Sequence, residues 1–201
     1  MKLKIYLTAF VLIMATLSAC KKDKSAAATS SNSLSYDGNT YELASGLFVD
    51  YGTDNYYGTT PTHTNYDFYT TDGRFIFDAN GAPTDLTGKI AVYAYLESPD
   101  GNGNFKEGTY TFIDTSNDGS LSDAQLKAKY ENKYFFADGS VIMGNGDINA
   151  SLSNAEEIFI SSGTIKISGV KPNFKIEYDL ILENNKTLKG SYNGEFSSYI
   201  D

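Results

Sequence analysis

Tryptophan is absent, cysteine and histidine occur once each, and proline appears four times in 201 residues. A single cysteine, Cys20, excludes an intramolecular disulfide, so stability must come from a hydrophobic core. The single histidine, His63, sits in the polar stretch TTPTHTN, with no acid among the four residues before it and Asp67 four residues after it. HExxH, Gly-x-Ser-x-Gly and P-loop motifs are all missing, so the chain carries no catalytic motif and is not expected to be an enzyme. Acids are plentiful enough for a paired-carboxylate glycosidase, whose spacing exists only in three dimensions. Basic residues are few: beyond Cys20, 14 Lys and Arg face 25 Asp and Glu, a formal charge of −11. That field disfavours nucleic acid and anionic lipid heads, both of which need a basic surface.

Long apolar runs are also scarce. Residues 5–19 carry no charge, but as a helix they reach only about 22 Å, short of a hydrocarbon core of roughly 30 Å. With Lys2 and Lys4 ahead of them and small residues behind, they read as a secretory signal. The run ends in Leu17-Ser18-Ala19-Cys20, which resembles the bacterial lipoprotein box. The resemblance implies cleavage after Ala19 and a diacylglycerol thioether on Cys20, which would tie the chain to a membrane through its acyl chains. Residues 1–19 are then a signal peptide, and residues 20–33 a lipidated cysteine with a flexible polar tether. Residues 34–201 are a single domain. An outer-membrane lipoprotein is the expected location. Asp23 is the only acid just behind the cysteine, and this leaves the periplasmic face and the cell surface both open.

The domain is written in strand grammar. NFKIEYDLIL places Phe174, Ile176, Tyr178, Leu180 and Leu182 on one face and Lys175, Glu177 and Asp179 on the other, a period of two. GTIKISGV precedes it and KTLKGSYNGEFSSYI follows it, with turn residues between, so three antiparallel strands are expected. Asp37-Gly38 predicts a hairpin, and Asp138-Gly139 predicts another. Ser122 with Gln125 three residues on forms a capping box, and it predicts one helix with Leu126 and Tyr130 on its packing side. The fold expected is all-β: an antiparallel sandwich of about ten strands with one short helix, or alternatively a lipocalin-like barrel.

The order SYDGNTYEL, YDFYTTDG, KIAVYAYLESP, EGTYTF and finally GSYNGEF resembles a group of uncharacterised Bacteroidetes lipoproteins over most of residues 34–199. These are strand-and-turn motifs. The resemblance implies a β-sandwich or barrel with no known activity.

Two stretches invite a ligand. DTSNDGSLSDAQ puts Asp114, Ser116 and Asp118 at positions 1, 3 and 5 of an EF-hand-like loop, with Gly119 at 6 and Ser120 at 7. Position 12 is Gln125 where the motif has glutamate, and a strand precedes the loop. A weak Ca²⁺ site and a joint built of turn-forming residues are the two readings, and no other cofactor is implied. Tyr51, Tyr56 and Tyr57 sit in or beside a Thr- and Asn-rich loop, where aromatic faces can stack on sugar rings. Tyr66 and Tyr69 read as strand residues. The function expected is a lipid-anchored, non-catalytic module that binds an extracellular ligand such as a glycan. The alternatives are a structural partner of another envelope protein and a lipocalin-like carrier of an apolar ligand.

Overall fold

The computed structural model describes residues 32–200; Cys20, the signal and most of the tether lie outside the described residues. Among the described residues twelve strands are formed. They are β1 (Ser33–Tyr36), β2 (Asn39–Glu42), β3 (Ser45–Asp54), β4 (His63–Thr71), β5 (Phe75–Phe77), β6 (Pro83–Leu86), β7 (Ile90–Ser98), β8 (Gly108–Phe112), β9 (Phe135–Met143), β10 (Glu156–Val170), β11 (Asn173–Leu182) and β12 (Thr187–Ile200). One helix, α1 (Asp123–Tyr130), precedes β9. The all-β class, with one short helix, is as the sequence pattern predicts. Among the described residues no helix is long and apolar enough to cross a membrane.

Ten strands form one sheet in the order β11-β10-β8-β9-β7-β4-β3-β12-β1-β2, and β5 and β6 make a separate hairpin. β11 also pairs with β12, and β9 with β10, so the ladders return to their starting point. Most pairings are antiparallel, as expected. β12 with β3 and β8 with β9 run parallel, so the sheet is mixed. β12 bridges the circuit: it pairs with β11 from Thr187 to Glu195 and with β3 from Phe196 to Ile200. At that junction a Cβ on Gly46 would lie 2.6 Å from the Phe196 ring, so only glycine lets the two strands meet there.

The period-two signals hold. Phe174, Ile176, Tyr178, Leu180 and Leu182 of β11 all turn into one core. The interior is filled by aromatic rings. Phe68 meets Phe48, Phe174 and Phe196, with ring centroids 5.3 to 6.1 Å apart. Each such side chain contributes about 1.5–3 kcal/mol by leaving water, which is what a fold without disulfides requires. The Asp37-Gly38 hairpin forms as predicted, with both residues left-handed at φ 49° and 77°. The capping box also forms, with the Ser122 amide donating to Gln125 Oε1 at 2.9 Å. Tyr130 is fully buried and Leu126 half-buried, as the helix pattern predicts.

One expected hairpin is absent. Asp138-Gly139 lies inside the continuous strand β9, beside an irregularity in its ladder with β7. Gly139 is there for space: a Cβ would meet Ile160 Cδ1 at 2.8 Å and the Tyr93 carbonyl at 2.9 Å. A glycine needed for close approach and a glycine needed for a turn look identical in sequence.

Candidate functional site

β4 shows where the unusual chemistry lies. Tyr66 and Phe68 face the core. The alternate residues His63, Asn65, Asp67 and Tyr69 therefore face outward, yet the first three are also buried. They are covered by what the sequence places over them. The loop after β3 brings Tyr56 against His63 and Phe135, and α1 brings Tyr130 against Tyr56. At the other end of the strand Phe75 of β5 meets Tyr69 edge-on, and the Leu152 amide donates to the Leu86 carbonyl of β6.

Between these covers the strand registers lay out rows across β3, β4, β7 and β9. One row is Leu47, Tyr69, Tyr93 and Ser140; the next is Val49, Asp67, Tyr95 and Asp138. A third pairs Asn65 with Glu97. The Tyr69 and Tyr93 rings stack at 4.9 Å and 26°, and their hydroxyls reach Asp67 at 3.4 and 3.3 Å. Tyr69 lines one open depression of about 450 Å³, together with Leu47, Val49, Tyr51 and Glu157. Tyr93 lines a second of about 590 Å³, together with Tyr56, Tyr95, Asp118 and Asp138. The stacked pair therefore contributes one ring to each.

The carboxylates of this face are held away from their ordinary state. Burial pushes Asp67 up to about 7 against two tyrosine hydroxyls that pull it down, and nearby Asp138 adds to the rise. Burial likewise pushes Glu97 up to about 7, opposed by the Tyr56 and Tyr95 hydroxyls and helped by Asp54 and Asp67. The tyrosine hydroxyls of 56, 69, 93 and 95 are raised by burial and by these carboxylates, so they stay protonated and act as donors. His63 is pushed down by burial; its ring nitrogens meet Thr62 Oγ1 at 3.0 Å and the Lys133 carbonyl at 3.2 Å. Oxygen acceptors and hydroxyl donors thus dominate the face, flanked by aromatic rings.

The residues singled out from the sequence are dispersed. Tyr51 is 45% exposed and lines the first depression. Tyr56 lines the second, but its ring is packed by His63, Tyr130 and Phe135, and its hydroxyl donates to Glu97 Oε1 at 2.7 Å. It is a wall and not a free stacking platform. Tyr57 is half-buried and lines neither depression. In the acidic loop, Asp114 Oδ1 accepts from the Ser116 amide at 2.8 Å, and Ser120 Oγ donates to the Asn117 carbonyl at 2.7 Å. Asp118 is ion-paired with Lys129 and accepts from the Tyr130 hydroxyl. A lysine ammonium meets the carboxylate that a Ca²⁺ ion would need. Among the described residues no three His, Cys, Asp or Glu side chains are placed to hold a metal.

Sequence reasoning passed over Asn65, Tyr93, Tyr95 and Glu97, read Tyr69 only as a strand residue, which it is, and gave Asp67 no role beyond its nearness to His63. The signal was available: HTNYDFYTT and IAVYAYLES alternate polar-aromatic with apolar residues, so both of their faces carry bulk. No known protein family, curated protein or solved structure matches the chain.

Proposed function

We propose that this protein is a lipid-anchored component of the bacterial cell envelope, and that its outer sheet face binds a glycan without cleaving it. The stacked Tyr69–Tyr93 pair, with one ring on each of two adjoining depressions and Asp67 beneath both hydroxyls, carries this reading. Tyrosine rings offer apolar faces to sugar C–H groups, while carboxyl and hydroxyl oxygens accept and donate to sugar hydroxyls. An open trough of this kind suits a chain of sugars running across both depressions. The core rings fill the interior, which favours the outer face over the interior as the ligand site.

A glycan array followed by calorimetry on the tether-free domain tests the proposal. Tyr69→Ala and Tyr93→Ala should each weaken binding about five- to tenfold, since stacking on one aromatic ring is worth on the order of 1–1.5 kcal/mol. Tyr57→Ala should leave it unchanged. Binding that survives loss of both rings would overturn the site, and hydrolysis of a bound glycan would overturn the non-catalytic part. Intact mass of the membrane-extracted protein checks the anchor: an unmodified thiol at Cys20 would sink it.

A further inference from the structure

Two buried side-chain oxygens on this face have no hydrogen-bond partner, Asn65 Oδ1 and Glu97 Oε2. They belong to residues directly opposite one another in the β4–β7 ladder, on the same outward side. Side chains so placed have Cβ atoms about 4.5–5.5 Å apart, within reach of each other. The remaining polar atoms of both residues are satisfied. Tyr56 donates to Glu97 Oε1 at 2.7 Å. Asn65 Nδ2 donates to the Tyr95 hydroxyl at 2.5 Å, and that hydroxyl reaches Asp54 Oδ2 at 3.4 Å. The chain Tyr56, Glu97, Asn65, Tyr95, Asp54 is therefore complete except for one link, and that link has an acceptor on both sides. One added proton completes it.

We propose that Glu97 carries a proton in the folded protein and donates it from Oε2 to Asn65 Oδ1, so that Tyr56 and Tyr95 are fixed as walls of the larger depression. The depression is then set at mildly acidic pH and loosens as Glu97 ionises. This deepens the glycan-binding reading by naming how the same site is regulated.

The surroundings favour the neutral form. The ionisable groups acting on Glu97 are Asp54 from β3, Asp67 from β4, Tyr95 from β7 itself, Tyr110 from β8 and Tyr56 from the covering loop, and His63 of β4 packs against Tyr56. None is a lysine or arginine, the histidine is held neutral by burial, and two are acids. Glu97 is fully buried. An anion there would lack a counter-charge, a far costlier state than a neutral acid with both oxygens bonded. Turning the Asn65 amide over would also give Glu97 a donor, but it would leave that uncompensated charge in place.

The sign is set by burial. Glu97 is pushed up to about 7 when folded, whereas an unfolded glutamate titrates near 4.3. The folded state therefore holds an extra proton between those values, and the stability this contributes is lost as pH rises through the folded value. Carbon-13 NMR of the free domain, following the Glu97 carboxyl carbon, tests this without any ligand. A midpoint near 7 is expected; a midpoint in the ordinary glutamate range, as an overturned Asn65 amide with an ionised Glu97 would give, overturns the proposal. Glu97→Gln supplies the second arm, because its amide can accept from Tyr56 and donate to Asn65 at every pH. Its thermal midpoint should lose less than the natural protein's between about pH 4.5 and about pH 7.5. An equal loss in both would also overturn the proposal, and should Glu97→Gln not fold, the carbon shift of the natural protein decides alone. Since neither arm uses a glycan, failure of the glycan reading leaves this result standing.

Discussion

Asp67 and Phe68 are neighbours on β4 and face opposite ways. Phe68 enters an interior of packed rings, with Phe48, Phe174 and Phe196 around it. Asp67 is itself buried but enters a face that opens into two depressions and is built of tyrosines, carboxyls and an amide. The interior gains stability from each atom it buries. The outer face buries polar groups that cost free energy unless satisfied, and two of its oxygens have no partner. A sequence selected only for stability would fill both sides with Val, Ile and Phe. The contrast teaches that one side of β4 and β7 holds the protein together and the other carries buried polar groups at a cost.

Three substitutions would sharpen or break that contrast. The largest effect is expected from Phe68→Ala, which should lower stability by about 3–5 kcal/mol, seen as a fall in the denaturant midpoint at unchanged slope. A loss below about 1 kcal/mol would mean the interior is not the stabilising side. Next, Asp67→Asn should alter how stability varies with pH. Asp67 is pushed up to about 7, so the natural protein loses stability as pH climbs from about 4 toward that value, and the amide should remove part of the loss. Parallel pH profiles for the two proteins would show that Asp67 is ordinary. The smallest effect is expected from Tyr93→Phe. The ring and its stacking on Tyr69 stay, one long hydrogen bond to Asp67 goes, and stability should drop by only about 0.5–1.5 kcal/mol. Ligand binding should fall less than in Tyr93→Ala, because the stacking ring is kept.

The sequence was a good guide to the interior and a poor one to the outer face, for a physical reason. Burial of β11 follows from alternation alone, since its other face is wet, and the Asp37-Gly38 hairpin and Ser122–Gln125 cap are local chemistry. The covered face depends on pieces brought from afar. Tyr56 looked like a loop aromatic open to a ligand because nothing nearby says that Phe135 and Tyr130 will pack on it. Asp118 looked like a cation ligand because nothing in the loop says that Lys129 will reach it. Gly139 looked like a turn because its crowding comes from Ile160.

β12 has one more consequence. It runs beside β1, β11 and β3, so the earliest and latest strands of the described chain become neighbours. A ribosome delivers the residues in order, and until Thr187 onward has emerged, β1 and β3 lack the partner that β12 provides. Maturation must therefore await the tail and proceed slowly, as expected where contacts span so much of the polypeptide. A nascent fragment stopping short of that segment would leave one edge of β1 and one of β3 unpaired and open to aggregation.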